Sequence, residues 1–487
     1  MQNSKAIKTI ALLMMVLLLM PTSAMFASQL MISNEAERHI LGELNRVNIP
    51  NAAIAVMQNG ETTYILKDSG HDSLFQIGSV SKSFTAFGVL LLEDMGLISV
   101  TDPVNMHLPW FYATYSGAPA TVTVYNLLHH TSGFTSDERR FPESTAGVVA
   151  DDIIAQLAGI ELQFYPSTDF QYANINYVIL GLLIETVYGR SYDEFMTQNV
   201  LHPLGLYNTF TDTQRAHETG RVAGGNRLGF LRPRAHNLPV SPRAVPTGFI
   251  YSDISDMARW VGIHLGTVEV LAQFARVVER SHSHNHTDTN PFVDDASFFY
   301  AAGWFVNHRA GYISHGGLTP GYATRATVFP SRDTAVVILI NLSYNTLGQF
   351  EGIVLNALNH GRYNRAAMDL NMIIDISLTI LVAIGVIVVF MFVRLTVRLY
   401  KSWRGGGCIK VNITAKNMAW LIMPIIATIF LIFLYIIPPI VFGTSNAVVA
   451  AYAPSSIVMG DIAIWVIVAY AWCSWLARIF FNLKVQK

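Results

Sequence analysis

A serine and a lysine stand three residues apart where a helix is predicted to begin. They lie in Gln76–Lys82, and the helical pattern over Ser79–Met95 closes at Gly96, as helices often do. Residues three apart share one face of a helix. A partly desolvated lysine can take a serine proton, and a helix N-terminus supplies N–H donors for an oxyanion. Ser79 and Lys82 could therefore form an acylating pair, although an ordinary helix cap followed by a surface lysine has the same spacing.

Two other short segments carry polar groups suited to the same chemistry. Tyr172–Asn174 precedes a predicted apolar helix, and a Tyr hydroxyl beside an ammonium group can have a lowered pKa and shuttle protons. His315–Gly317 ends a predicted strand, where glycines let a substrate backbone lie close. Taken singly, a packed tyrosine before a helix and a strand entering a Gly-rich turn explain these segments better. The chemistry therefore depends on their combination.

The elements that must position these segments form one sheet with a helical region inserted. A hairpin over Asn51–Ile65 turns at Asn59–Gly60, a strong signal for a tight turn. Strand patterns return only late in the chain, and the middle is mostly helical. The other predicted elements are helices over Asn176–Tyr188, Asp253–Leu265 and Leu347–Asn359, and strands over Gly311–His315, Tyr322–Phe329 and Thr334–Asn341. The simplest assembly is one mostly antiparallel sheet built from both ends of this body.

Two polar segments stand outside this scheme. Leu231–Val245 is basic and Pro-rich, which predicts a long surface loop; near a site it could hold an anionic substrate. His282, His284 and His286 alternate and could bind a metal in an extended conformation. Because no cysteine or clear acidic partner accompanies them, a polar loop is the better interpretation. We expect neither a metal nor a cofactor.

Charge is divided unevenly along the 487 residues. Only 13% of them are charged, against about 25% in an average soluble domain. From Asn371 onward nine Lys or Arg accompany two Asp or Glu, whereas the part before it holds 23 and 31, with all fifteen His. An acidic body is thus joined to a basic, apolar tail that also holds both cysteines, Cys408 and Cys473. The net charge of −1 gives no sign of nucleic-acid binding.

Both ends of the chain predict contact with a lipid bilayer. Lys5, Lys8, the apolar run Ile10–Met20 and the small residues up to Ala27 predict a signal peptide over 1–27. The body follows over 28–362. The tail holds three apolar runs, each long enough to cross a ~30 Å hydrocarbon core, at Met372–Val393, Met418–Phe442 and Ile457–Phe481.

Loop charges set the predicted orientation. Six Lys or Arg lie between the first and second runs, none between the second and third, and two after the third. The positive-inside rule places the first loop and the C-terminus in the cytoplasm, and hence the body outside. Asp375 and Asp461 fall near the outer ends of their spans and are interpreted as wetted helix ends rather than functional intramembrane acids.

In this order, the Ser-x-x-Lys, Tyr-Ala-Asn and His-Gly-Gly segments resemble the penicillin-recognising serine hydrolases, in their class C β-lactamase and D,D-peptidase branch. The further segments that fit this branch are Leu127–Gly133, Asn174–Leu183, Ser252–Trp260 and Gly303–Trp304. The resemblance covers about Glu35–Leu358. It implies a β-lactamase-like α/β (α+β) fold, with a five-stranded antiparallel sheet, flanking helices and a helical subdomain, and the site between them. Three C-terminal transmembrane helices complete the predicted architecture.

The resemblance also implies a role for each matching residue. Ser79 is the acylated nucleophile, Lys82 is its base, and Tyr172 passes protons, particularly in deacylation. Asn174 holds an amide of the substrate. The backbone N–H groups of Ser79 and Leu318 form the oxyanion hole.

Two positions depart from the strict β-lactamase pattern. His315 stands where many members have Lys, and Gly316 replaces a Thr whose hydroxyl helps to bind the substrate carboxylate. Gly317 keeps the pattern. The loss of the Thr donor favours an ester or a D-amino-acid amide over penicillin or D-Ala-D-Ala as substrate.

The sequence therefore predicts an exported, multi-pass, membrane-anchored serine hydrolase with its catalytic domain outside the cytoplasm. It forms an acyl-enzyme on Ser79 and acts on cell-wall peptides or related D-amino-acid amides or esters, as a D,D-peptidase or esterase would. The alternatives are a β-lactamase, and a catalytically weak penicillin-binding sensor or accessory protein. The expected partners are a small-molecule or peptide substrate, such as peptidoglycan, and the bilayer, without nucleic acid.

Overall fold

The architecture is taken from a computed structural model that describes residues 33–135, 153–283, 298–344, 346–366, 368–405, 413–429, 432 and 451–480. The predicted signal peptide over 1–27 lies outside the described residues, as do His284 and His286. The strands are β1 (Ala52–Gln58), β2 (Glu61–Lys67), β3 (Phe75–Gln76), β4 (Tyr112–Tyr115), β5 (Ala118–Ala120), β6 (Ala158–Glu161), β7 (Asn226–Gly229), β8 (Arg232–Ala235), β9 (Tyr251–Ser252), β10 (Phe298–Tyr300), β11 (Phe305–Asn307), β12 (Tyr312–Thr319), β13 (Tyr322–Phe329) and β14 (Thr334–Ile340).

Helices fill the rest of the body and most of the tail. They are α1 (Asn34–Arg46), α2 (Ser81–Asp94), α3 (Val104–His107), α4 (Val124–Leu128), α5 (Ile153–Leu157), α6 (Asn174–Tyr188), α7 (Tyr192–Phe195), α8 (Thr213–Glu218), α9 (Val245–Gly248), α10 (Ile254–Leu265), α11 (Ala272–His282), α12 (Leu347–His360), α13 (Leu370–Arg404), α14 (Ala415–Ala419) and α15 (Ile457–Phe480). Residues 422–429 are helical as well. The predicted helices of the body appear as α2, α6, α10 and α12.

The central sheet has seven strands in the order β10-β11-β12-β13-β14-β1-β2. Every pair in it is antiparallel. The predicted hairpin is β1–β2, and the three predicted late strands are β12, β13 and β14. The N-terminal hairpin joins the late strands through the pairing of β1 with β14, so both ends of the body do build one sheet.

The expectation of five strands is wrong, because β10 and β11 extend the edge beyond β12. Each has three residues, too few for a period-two pattern of apolar and polar side chains to show in the sequence. Gly303 lies between them with φ +80°, a conformation that glycine adopts without strain. A Cβ on Gly303 would also overlap the backbone at the start of α2, so this turn holds the edge strands against that helix.

Both faces of the sheet are covered, which makes its middle strands apolar throughout. In β14, Ala335, Val337 and Leu339 pack into the core shared with the helical region. The alternate residues Val336 and Ile338 pack on the other face, under α1 and α12. Helix α2 runs through the larger core, and its residues 81–92 are all buried. The site therefore lies where a buried helix begins beside a sheet edge.

The sequence predicts a long surface loop for the basic, Pro-rich segment Leu231–Val245. That prediction is wrong for the first part of the segment. Its first residues form β8, which pairs with β7 in a hairpin. The two turn residues, Phe230 and Leu231, have positive φ values of 54° and 63°. Such a two-residue turn matches the twist of a hairpin, but here it lacks the Asn-Gly signature by which a sequence usually reveals it.

The tail contains two described helices long and apolar enough to cross a membrane, by length and composition, rather than the three expected. They are α13, which is largely exposed along its apolar stretch, and α15. The run Met418–Phe442 begins with α14, turns at residues 420–421 and is helical again over 422–429, and the rest lies outside the described residues. Pro424 lacks an N–H to continue an α-helical ladder from α14. Gly385 and Gly460 let α13 and α15 approach closely, because a Cβ at either would crowd the other helix.

Asp375 is buried rather than wetted, contrary to its interpretation from the sequence. It lies near the start of α13 and is 1% exposed. Its carboxylate accepts hydrogen bonds from the amides of Phe230 (3.0 Å) and Leu231 (2.6 Å), at the tip of the β7–β8 hairpin. It also accepts one from the Ser456 hydroxyl, just before α15. One carboxylate thus joins the body to both tail helices.

Candidate active site

Ser79 is placed by a tight turn of 3₁₀-helix over Gly78–Val80 that leads into α2. Gly78 has φ +54°, and a Cβ there would overlap the amide nitrogen of Leu318 on β12. A Cβ on Gly317 would in turn overlap the carbonyl oxygen of Ile77. Gly78 and Gly317 therefore allow the backbone of the serine turn to lie directly against the backbone of β12. This contact puts the amide of Leu318 beside the turn that carries Ser79, as a shared oxyanion hole requires.

Lys82 lies under Ser79, one helical turn along α2. It is 0% exposed, and its Nζ is 3.1 Å from the Ser79 Oγ. The same nitrogen is 2.8 Å from Asn174 Oδ1 and 2.6 Å from the carbonyl oxygen of Thr247. Burial lowers the pKa of Lys82 well below its usual value of about 10.4.

The three partners of Lys82 can accommodate the neutral amine that burial favours. A neutral amine has two N–H donors and one lone pair. Asn174 Oδ1 and the Thr247 carbonyl can only accept, so they take the two N–H groups. In the neutral form that burial favours, the lone pair is left for the Ser79 hydroxyl, which can then donate to it. Lys82 in that form is placed where a base for Ser79 would have to be.

Tyr172 lies over Lys82, on the segment before α6. Its ring centroid is 4.9 Å from Lys82 Nζ, and its hydroxyl is buried without a hydrogen-bond partner among the described residues. Burial raises the pKa of Tyr172, and the neighbouring Ser79 hydroxyl offsets only part of that rise. The expected lowering of this pKa is absent, because burial of Tyr172 itself disfavours the charged form. Tyr172 therefore keeps its proton.

Asn174 is the first residue of α6, and the extended Ala173 precedes it. Its side-chain oxygen accepts from Lys82, so it fixes the amine as well as bordering the site. His130 supports this helix start from behind, with its Nδ1 2.8 Å from Asn176 Nδ2 and 3.3 Å from the amide of Ala173. Two contacts thus hold the Tyr172–Asn174 segment, one from Asn174 to Lys82 and one from the Ala173 amide to His130.

His315 lies on β12 with both ring nitrogens engaged. Nδ1 is 2.7 Å from the Gly316 carbonyl oxygen, and Nε2 is 3.2 Å from the Tyr300 hydroxyl. The carbonyl can only accept, so Nδ1 carries the proton and Tyr300 donates to Nε2. Burial, with the nearby Lys82 as a smaller cause, lowers the pKa of His315 to about 3. His315 is a neutral ring whose only N–H is used within the protein.

These residues border an open cleft of about 430 Å³. Six of the predicted site residues line it: Ser79, Tyr172, His315, Gly316, Gly317 and Leu318. The other two, Lys82 and Asn174, lie beneath Ser79 and Tyr172. The cleft is also lined by Phe305, Thr324, Arg325, Tyr344, Leu347 and Gly348, which the sequence did not single out.

The sequence also missed Thr247 and Tyr300. Thr247 acts through its backbone carbonyl, which no side-chain pattern reports. Tyr300 ends the three-residue strand β10, so it lies on an element that the sequence did not predict. The available signal was chemical: a buried Tyr and a buried His each need a hydrogen-bond partner, so Tyr300 could have been sought as the partner of His315.

Comparison with known proteins identifies the family. The model of a family described as "Beta-lactamase" matches residues 36–358, which is more than half of the chain. The chain belongs to the Beta-lactamase family. Its members share the β-lactamase fold and are serine hydrolases. The match spans the sheet, the helical region and every residue of the candidate site, and it ends before the two apolar tail helices.

One curated protein and two solved structures illustrate what this chain is similar to. Protein flp of Staphylococcus aureus (strain MW2) is 26% identical over 418 residues, which cover 83% of this chain and 82% of that protein. The octameric penicillin-binding protein homologue from Pyrococcus abyssi has a TM-score of 0.56 and 22% identity, covering 70% of this chain and 79% of that one. The D-alanine carboxypeptidase AmpC from Burkholderia cenocepacia has a TM-score of 0.55 and 20% identity, covering 67% and 99%. At 22% and 20% identity, the likeness to these two solved structures shows that this chain has the same fold.

Proposed function

We propose that this chain is a membrane-anchored serine hydrolase that forms an acyl-enzyme on Ser79. The observation that carries the proposal is the buried amine of Lys82, which is 3.1 Å from the Ser79 Oγ, is hydrogen-bonded to Asn174 Oδ1 and the Thr247 carbonyl, and has its pKa lowered by burial. A serine hydroxyl becomes a useful nucleophile only when a base can take its proton. A lysine with a lowered pKa is such a base at neutral pH.

The proposed acylation uses groups that are already in contact. Lys82 takes the Ser79 proton as Oγ attacks the substrate carbonyl carbon. The N–H groups of Ser79 and Leu318 stabilise the negative charge on the carbonyl oxygen. The bond to the leaving amine or alcohol then breaks, and the proton passes to that leaving group. In a second step water attacks the acyl carbon and the ester bond to Ser79 Oγ breaks, while Tyr172 relays the proton of the water to that oxygen.

The proposed substrates are cell-wall peptides or related D-amino-acid amides or esters. Two features support this class. The open cleft of about 430 Å³ accommodates an extended chain beside the two glycines of β12. One structural neighbour is described as a D-alanine carboxypeptidase. A β-lactam has the same kind of reactive amide, so β-lactamase activity is an outcome that the experiment must separate.

The proposed location is the outer face of a membrane. The two described apolar helices α13 and α15 support anchoring. The basic residues at the end of α13, from Arg394 to Arg404, would face the cytoplasm by the positive-inside rule. A reporter fused after Arg404, at the end of α13, should then behave as cytoplasmic, and a reporter that behaves as external there would contradict this orientation.

Covalent labelling tests the nucleophile. The full chain in detergent is incubated with a fluorescent fluorophosphonate and with a labelled penicillin, beside Ser79→Ala. Ser81→Ala is the matched control, because Ser81 is two residues along, is buried and accepts a hydrogen bond from the Ile250 amide. We expect labelling of the wild type and of Ser81→Ala, and none of Ser79→Ala. Labelling that persists in Ser79→Ala would refute the assignment.

Product analysis then separates the enzymatic candidates. Release of D-Ala from a D-Ala-D-Ala peptide, hydrolysis of a neutral ester and turnover of a β-lactam are compared on the same preparation. Peptide or ester turnover above β-lactam turnover supports the proposal. Predominant β-lactam turnover indicates a β-lactamase. A folded protein that neither labels nor turns over any of the three indicates a sensor or accessory protein and contradicts the proposal.

A further inference from the structure

The β7–β8 hairpin is strongly basic, although the body that carries it is acidic. Residues 219–252 contain five Arg and no Asp, Glu or Lys. Arg227 and Arg234 are direct cross-strand partners, and Arg232 lies two residues before Arg234, so all three project from one face of the hairpin, the basic face. Like charges directly opposite each other destabilise a strand pair. An anionic partner on this face would offset that repulsion.

The basic face borders the segment that leads into α15, whereas the other face packs on the body. On that other face, Leu228 is buried in the core under α1 and α12. On the basic face, Arg227 donates to the Ala453 carbonyl at 3.4 Å. Residues 443–456, between the second and third apolar runs, contain no charged residue. That segment therefore supplies no acid that could neutralise the arginines.

The tip of the hairpin is exposed and combines an apolar side chain with two cations. Leu231, in the turn, is 48% exposed, and Arg232 and Arg234 are exposed beside it. Within the described residues neither of these two arginines forms an ion pair. The Arg234 Nε donates to the Gly229 carbonyl at 3.3 Å, which uses one of five N–H donors. An apolar tip beside cations is typical of protein surfaces at a membrane interface.

The tail helices indicate where this tip lies relative to a bilayer. Asp375, which binds the tip, and Arg394, the first basic residue of α13, are 19 residues apart, or about 28 Å along the helix. Ser456, which donates to Asp375, and Arg478 on α15 are 22 residues apart, or about 33 Å. Both distances match a ~30 Å hydrocarbon core. With the proposed orientation, the hairpin tip lies at the level of the outer head groups.

We propose that the β7–β8 hairpin is a lipid-binding surface, on which Arg232 and Arg234 bind the phosphate groups of anionic phospholipids in the outer leaflet. Arginine and phosphate form charge-assisted, often bidentate hydrogen bonds. Leu231 contacts the boundary between head groups and acyl chains. This inference rests on the proposed anchoring and orientation, and it adds a contact between the body itself and the bilayer.

The same hairpin connects this surface to the strands of the active site. At its body end, the Asn226 amide donates to the Gly321 carbonyl, in the turn between β12 and β13, at 3.1 Å. The Ser343 amide, after β14, donates to the Asn226 carbonyl at 3.1 Å. Lipid binding at the tip therefore acts on the position of the sheet, and with it the cleft, above the membrane.

Photo-crosslinking with two lipids that differ in head group tests this proposal. The full chain is reconstituted in phosphatidylcholine nanodiscs that contain a small, equal fraction of either phosphatidylglycerol or phosphatidylcholine with a diazirine near the glycerol backbone. After illumination, mass spectrometry measures the label on the hairpin. We expect the anionic probe to label the wild-type hairpin roughly 5- to 30-fold more, as two arginines near an anionic surface allow. Each protein supplies its own ratio of the two probes, so differences in reconstitution cancel.

Variants connect the preference to the two arginines. In the double variant Arg232→Gln with Arg234→Gln, the ratio should fall towards one. The zwitterionic probe should still label its hairpin, because Asp375 still holds the tip. Arg309→Gln with Arg332→Gln is the matched control, because both arginines are exposed and lie in the turns at the end of the sheet away from the β12–β13 turn. Its ratio should equal that of the wild type.

The outcomes separate this inference from the anchoring on which it rests. Equal labelling of the wild-type hairpin by the two probes, or a preference that the double variant retains, overturns phosphate binding by the arginines. A hairpin without label beside labelled α13 and α15 overturns the contact of the body with the bilayer and leaves the anchoring standing. If α13, α15 and the hairpin all remain unlabelled, the anchoring fails, and the inference fails with it.

Discussion

Lys82 is the residue on which the chemistry depends, and its environment selects its charge. Lys82 Nζ has three oxygen neighbours, Asn174 Oδ1, the Thr247 carbonyl and Ser79 Oγ, and the serine oxygen can accept from an ammonium ion or donate to a neutral amine. Desolvation of the fully buried amine decides between the two and favours the neutral form. Ser79 and Lys82 were predicted from their spacing. Asn174 was predicted to hold a substrate amide rather than Lys82, and Thr247, which acts through its backbone carbonyl from another helix, was not predicted.

The pH dependence of acylation follows from the lowered pKa of Lys82. Acylation requires the neutral amine, so the rate is retained above the folded-state pKa and is lost as the pH falls through it. We expect the acidic limb of kcat/KM well below pH 10.4, the usual pKa of lysine. Stability changes with pH in the same direction. Between the folded-state and the unfolded-state pKa of Lys82, the unfolded chain binds one more proton than the folded chain, so the free energy of unfolding rises with pH.

Replacing the base tests the same residue by mutation. Lys82→Arg keeps a charge that cannot be lost at any working pH, so it should reduce fluorophosphonate labelling of Ser79 by about 100-fold or more. Lys67→Arg is the control, because Lys67 binds the Pro50 carbonyl outside the cleft. Labelling of Lys82→Arg at the wild-type rate, with a wild-type pH profile, would exclude Lys82 as the base.

Tyr172 offers a prediction in which activity and stability diverge. Its buried hydroxyl has no hydrogen-bond partner among the described residues, so Tyr172→Phe removes an unsatisfied group and should leave the melting temperature equal or higher. Loss of a proton relay should slow deacylation by about 10²- to 10⁴-fold. Rapid-mixing kinetics with an ester should then show a retained burst and a slow steady state.

The control for Tyr172→Phe is another buried tyrosine. The Tyr177 hydroxyl donates to the Leu128 carbonyl at 3.0 Å. Tyr177→Phe should cost about 1 kcal/mol of folding free energy without slowing deacylation. A normal steady state in Tyr172→Phe, or an equal slowing in both variants, contradicts the proposed relay.

At the scale of elements, the site depends on the contact between β12 and the turn before α2. The sequence predicted both elements, because each has a clear period and ends at glycines. It could not predict that the two meet backbone to backbone, since that distance depends on the whole sheet. For the same reason Arg325 was missed: its relation to Gly316 is a cross-strand register, which only the pairing of β12 with β13 sets.

Gly317→Ala tests this contact. The new Cβ would overlap the Ile77 carbonyl, so β12 must move away from the serine turn. We expect a loss of about 1–3 kcal/mol in the free energy of unfolding, typical of overpacking, together with slower labelling of Ser79. The measurement is denaturant unfolding combined with fluorophosphonate labelling.

Gly316→Ala is the neighbouring control. Its Cβ would be 3.9 Å from Arg325 Nη1, an ordinary van der Waals contact. The free energy of unfolding should change by less than about 1 kcal/mol, because nothing must move. If the two variants are equally stable, β12 does not depend on close approach at Gly317.

At the scale of the whole molecule, the body is attached to the tail through the β7–β8 hairpin. Asp375 of α13 binds the hairpin tip, and the Ser455 amide donates to the Leu228 carbonyl at 2.7 Å. His236 Nε2 is 3.0 Å from the Ala451 carbonyl oxygen just before α15. The sequence divided body from tail by charge and hydropathy. It did not show that they share this interface, because a single Asp within an apolar run also fits a wetted helix end.

Asp375→Asn tests whether this interface is held by its carboxylate. The two amides of Phe230 and Leu231 both need acceptors, and an Asn side chain can supply one while its NH₂ opposes the other. Hydrogen bonds to a charged group contribute about 1.5–3 kcal/mol, so exchange of these two amides with deuterium should accelerate by roughly 10- to 100-fold. The chain is measured in lipid nanodiscs with Asp461→Asn beside it, an acid near the start of α15 that is not among the hydrogen bonds described for the hairpin. Unchanged exchange at the hairpin tip in Asp375→Asn, or equal acceleration in Asp461→Asn, would show that other contacts hold the body to the tail.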